Sequence, residues 1–167
     1  MRMLVLAGLM GIATSASAVS VEQAYRLIPH QRTIFQSASA RMPTAERAYL
    51  VAFFSAIDQA IVAKVSARRE TTVAEAYEPV WKAWKQLNPP TALKATQDKV
   101  KAAILDQQAF LLEVANQRSS WNMSHPKVRS SSANLREAYS NLMRIYPSEN
   151  STNKQAFFNY LCALDFV

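Results

Sequence analysis

In PTAERAYLVAFFSAIDQAIVAKVSARR, residues 43–69, the apolar residues Leu50, Phe53, Phe54, Ile57, Ile61 and Val65 recur at three- and four-residue steps. That spacing matches one face of an α-helix and no face of a strand. Pro43 suits the first helical position and Glu46 the first turn, so the pattern predicts a long helix from Pro43 to about Arg69. Arg47, Asp58, Lys64 and Arg68 are expected around the apolar stripe, with Asp58 meeting polar neighbours on its own helix.

Helical signals continue on both sides. Ser20 with Gln23, Thr72 with Glu75, and Thr152 with Gln155 each have capping-box spacing. After Thr72, the positions Val73, Tyr77, Val80, Trp81, Trp84 and Leu87 stripe a helix that Pro79 should kink or split. Asn88-Pro89-Pro90 breaks the chain. The helix that follows, about Thr91 to Ser119, carries heptads through Leu93, Val100, Gln107 and Val114, and through Gln97, Ile104 and Leu111. Polar Gln97 and Gln107 on that seam suit a bundle better than an extended coiled coil. Ser119 to Ser131 reads as a loop, and Leu135, Ala138, Tyr139, Leu142, Ile145 and Tyr146 stripe a further helix ended by Pro147. His30 to Arg41 is ambiguous between loop and short helix.

Composition agrees with this reading. The only glycines, Gly8 and Gly11, lie near the N-terminus. Without glycine, the positive-φ positions of tight hairpins, phosphate-cradling loops and nucleophile elbows are hard to build. The fold class expected is therefore all-α: an up-and-down bundle of three to four long helices with short terminal helices.

MRMLVLAGLMGIATSASA, residues 1–18, has an early Arg2, a short apolar run and a small-residue end. That is the layout of a secretory signal peptide cleaved after Ala18, leaving residues 19–167 as one helical-bundle domain. The apolar run is shorter than the roughly 20 residues of a transmembrane helix. The expected location is periplasmic or secreted.

The formal charge is +7, spread along the chain without a basic block. An anionic envelope component or an envelope protein is a natural partner, whereas dedicated nucleic-acid binding is not expected. Cys162 is the sole cysteine, so no internal disulfide or c-type haem attachment can form. Its spacing from Phe158 and Leu161 predicts burial.

Candidate ligand-binding residues are His30, Arg32, Trp121, His125 and Arg129, from the segments YRLIPHQRTIF (25–35) and WNMSHPKVR (121–129). Both mix aromatic, basic and hydroxyl side chains in irregular chain, where binding groups tend to sit. Alternating helix directions put His30 and His125 apart unless residues 30–41 fold back along the bundle. Tyr77, Trp81 and Trp84 are read as core. No spacing assembles a catalytic set, and no catalytic residue, metal ligand or cofactor is assigned. The function expected is a non-enzymatic exported binding or interaction module. The alternative is a carrier of a small ligand, metal or non-covalent haem, using the bundle core or the His30 and His125 loops.

Overall fold

The computed structural model describes residues 19–68 and 72–166, and 71% of those residues are helical, with no strand among them. The signal-peptide expectation falls on residues 1–18, outside the described residues. The helices are α1 (Val21–Arg26), α2 (Thr44–Ser66), α3 (Val73–Trp84), α4 (Thr91–Ala115), α5 (Pro126–Ile145) and α6 (Ser151–Leu164). From α2 to α6 they alternate in direction, with α2, α4 and α6 ascending.

Helix α2 is the hub. Leu50, Phe53, Phe54, Ile57, Ile61 and Val65 are buried as their spacing predicts, but so are Ala56, Ala60, Ala63, Asp58 and Lys64. By length and composition α2 could cross a membrane, yet 67% of its apolar window is buried against the rest of the protein. Neighbours on several sides are therefore required, and α1, α3, α4 and α6 supply them. Phe54 stacks on Tyr160 at 4.5 Å and on Phe157 at 5.8 Å, while Phe53 meets Trp84 at 5.8 Å. The most extensive helix pair is α4 with α5.

Several boundaries differ from the sequence reading. Pro43 lies outside α2 as its cap, its carbonyl accepting from Arg47 N, whereas α4 begins at Thr91 as expected, with Pro90 O accepting from Leu93 N. Pro79 does not split α3: one interior proline forfeits one helical bond, and the buried Val80 and Trp84 hold the turn beyond it. Helix α5 starts inside the expected loop, with Pro126 as its first residue and His125 Nδ1 accepting from Lys127 N at 3.3 Å. Asn150, not Thr152, caps α6, its side chain accepting from Asn153 N at 2.9 Å. Cys162 is half-buried and Phe158 exposed, because this i, i+4 pair lies on the α6 face that turns away from Phe157 and Leu161.

Residues 30–41 do fold back. Apart from a 3₁₀ turn at Ser37–Ser39, they run extended and antiparallel to α6. Asn159 Nδ2 donates to Thr33 Oγ1 at 2.6 Å. Asn153 clamps the peptide at Gln36 from both sides, accepting from Gln36 N at 2.8 Å and donating to Gln36 O at 3.2 Å. Glu149 accepts from Arg41 N at 2.8 Å and from the Asn150 backbone and side-chain N–H groups. Those donors satisfy a buried carboxylate without a cation.

The C-terminus of α4 shows how a chain without local glycine makes a left-handed turn. Gln117 takes φ 56°, with Gln117 N bonded to Val114 O and Arg118 N to Glu113 O, a Schellman motif with glutamine in glycine's usual place. Left-handed backbone costs a non-glycine residue about 1–2 kcal/mol, partly offset by glycine's larger entropy loss on folding. Gln117→Gly should therefore stabilise the protein by about 0.5–1 kcal/mol and raise Tm by about 2 °C in a calorimetric melt; a lower Tm would contradict this account of the turn.

Candidate functional site

Asp58 and Lys64 are the only charged residues between Arg47 and Arg68, and both are buried on α2. Each recruits a different part of the chain. Asp58 Oδ2 accepts from Arg32 Nη2 at 2.6 Å, and Oδ1 from Tyr25 Oη at 3.1 Å. The other Arg32 branch donates to Glu22 at 3.2 Å. Burial pushes the Asp58 carboxyl upward against the pull of Arg32 and Tyr25, and it raises the Tyr25 hydroxyl as well. Arg32 thus braces the extended arm and α1 against α2.

Lys64, six residues further along, caps α6. Its Nζ donates to Ala163 O and Leu164 O, each at 2.9 Å, and to Asp165 O. These carbonyls lie at the negative end of the helix dipole and lack helical partners. Burial lowers the Lys64 pKa to about 7, Asp165 opposes the shift, and Arg68 adds to it. Gln107 reaches the same terminus, donating to Leu164 O at 2.8 Å and to Ser131 Oγ at 3.0 Å. Ser132 Oγ donates to Asp165 Oδ1 at 2.6 Å.

Beside this cap lies a cavity of about 230 Å³ bordered by His30, Lys64, Arg68, Asp165 and Phe166. The Arg68 guanidinium lies 4.2 Å from the centroid of the Trp121 ring, and Trp121 meets Phe166 edge-on at 5.6 Å. Phe110 joins Phe166 at 5.4 Å and His125 at 4.9 Å. Since residues 30–41 double back, His30 and His125 belong to the same end of the bundle. The topological expectation of separation fails for that reason.

The five sequence candidates divide. His30 borders the cavity, and Trp121 covers Arg68 at its rim. His125 belongs to the flanking aromatic cluster, with Nε2 at 3.2 Å from Glu113. Arg32 is engaged by Asp58 and Glu22, and Arg129 is exposed on the first turn of α5. Lys64, Arg68, Asp165 and Phe166 escaped the sequence reading. For Lys64 there was a usable signal, an isolated charge in an apolar helical run; for Asp165 and Phe166 there was none. Among the described residues, no three His, Cys, Asp or Glu side chains gather closely enough to hold a metal ion. Comparison of the chain with family models, curated proteins and solved structures finds no match.

A lysine whose folded pKa is depressed releases its proton in the native state while the unfolded chain still holds it. Lys64 therefore makes stability rise with pH from about 7 toward the ordinary lysine range, by up to about 1.4 kcal/mol per pH unit. Urea melts between pH 7.5 and 9.5, below ordinary tyrosine titration, should show that rise. Lys64→Met should remove it and cost about 2 kcal/mol at pH 7 through the uncapped carbonyls. A slope that survives in the variant would assign it to another group.

Proposed function

We propose that the protein is a non-enzymatic helical-bundle module of the cell envelope, working in the periplasm or outside the cell. It holds an anionic group of an envelope partner at the bundle end where His30, Arg68 and Trp121 meet. The observation that carries this reading is the cavity beside the α6 cap. Arg68, the His30 imidazole and a Lys64 already committed to the α6 carbonyls border it against the single carboxylate of Asp165, so Arg68 is the basic group left to face a ligand. That carboxylate is already engaged by Ser132 Oγ and Phe166 N. Trp121 places the Arg68 guanidinium by stacking on it, which leaves its N–H edge for a phosphate or carboxylate.

The non-enzymatic part of the reading draws on how the buried polar groups are used. Asp58, Lys64, Gln107 and Glu149 each fasten one segment of chain to another. Placement outside the cytoplasm draws on residues 1–18. Protein recovered from its native source should therefore have an intact mass starting at Val19; a mass that includes residues 1–18 would remove the envelope from the proposal.

Anion capture has its own measurement. Titration with inorganic phosphate at pH 6.5 should shift the His30 ring and Arg68 side-chain NMR signals together. Arg68→Ala, a change at an exposed position, should weaken binding about tenfold or more while moving Tm by no more than about 3 °C, the worth of one exposed cation–π contact. Unmoved His30 and Arg68 signals at about 50 mM phosphate, enough to populate a weak millimolar contact, would overturn the reading.

A further inference from the structure

Helices α3 and α4 touch far less than α4 and α5 do. Between them lies a groove of about 460 Å³, lined by Trp81, Trp84, Lys85, Gln97 and Lys101. Its aromatic part is fixed in place. Trp84 is buried against Phe53, and the Trp81 indole N–H donates to Gln108 Oε1 at 2.8 Å. The polar part is one-sided. Gln97 Oε1 is already taken by the Tyr49 hydroxyl at 3.1 Å, so the Gln97 amide N–H₂ is the end left to a ligand. Lys85 and Lys101 are exposed, and among the described residues neither forms an ion pair.

We propose that this groove is a binding site for a small anion carrying a flat ring, such as an aromatic carboxylate. Indole faces favour a planar apolar partner, and a lining that offers two ammonium groups and an amide donor calls for an acceptor-rich, negatively charged one. The volume falls within the roughly 300–1,000 Å³ common for small-molecule sites. The ring lies along the half-buried Trp81 and reaches only the edge of Trp84 that the groove leaves open, and the carboxylate takes one oxygen toward each lysine. The site is separate from the cavity at the α6 cap, with which it shares no lining residue. Its failure would leave the proposed function standing, and the reverse also holds.

The chain's three tryptophans, Trp81, Trp84 and Trp121, give three indole N–H signals, so ¹⁵N NMR reads the site directly. Titration with 2-naphthoate should move the Trp81 and Trp84 signals and leave Trp121 in place. Neutral 2-naphthylmethanol should bind about tenfold more weakly, and so should 2-naphthoate to the double variant Lys85→Gln, Lys101→Gln, since two exposed charge contacts together account for about that factor. Both lysines are exposed, so the variant should keep its melting temperature, and the same spectrum confirms its fold. Equal affinity for the alcohol and the acid would overturn the charged half of the proposal. Equal affinity for cyclohexanecarboxylate and 2-naphthoate would overturn the ring half. Movement of Trp121 alone would overturn the site.

Discussion

The burial of α2 everywhere but the face of Ala48, Val51, Ala52 and Ser55 is the constraint from which the other placements follow. A helix this apolar cannot leave a face in water without losing on the order of 25 cal/mol for each Å² of apolar surface left uncovered. Helices α3 and α6, the short α1 and part of α4 each cover a sector of it. Close cover also explains why its two interior charges matter so much. Asp58 and Lys64 could be buried only where other parts of the chain met their hydrogen-bonding needs. One therefore fixes α1 and the extended arm, and the other fixes the end of α6.

The same division of labour recurs away from α2. Apolar stripes bring helices together but tolerate sliding by a turn, whereas a buried amide or carboxylate accepts one register. Asn153 and Glu149 set the register of the arm on α6, and Gln107 sets that of α4 against α5 and α6. At the lower end Tyr146 Oη donates to Glu46 at 2.7 Å, so α5 and α2 are also held at their feet. The bundle is thus apolar in its attraction and polar in its alignment.

Much of the fold was legible in the residues. Leu50 to Val65 announced the central helix, the Ser20 and Thr72 boxes formed as their spacing required, and Asn88-Pro89-Pro90 separated α3 from α4. The failures have a common physical origin. Asn150 displaced Thr152, Pro126 advanced α5, and residues 30–41 became an extended strap, because tertiary partners chose among local options that the sequence left nearly equal. The candidate site was less legible still. His30 and Trp121 were visible as unusual residues in irregular chain, but their shared location depends on the strap, and the strap depends on Asn153 and Glu149, more than a hundred residues away. Trp84 is core as its spacing predicts and Trp81 packs against that core, so only the splay of α3 from α4, which the spacing does not show, opens a groove beside them.

The strap has a consequence for the order in which the protein matures. Gln36 waits for Asn153 across 117 residues and Lys64 for Leu164 across 100, while Gln107 finds Ser131 only 24 residues on. Closing long loops costs entropy before their contacts repay it, so local hairpins such as α4–α5 are the natural early structures. The strap and the α6 cap close last. A chain emerging N-terminus first would hold its most apolar helix only partly covered until residue 165 arrived, and in that interval its apolar surface is most open to aggregation.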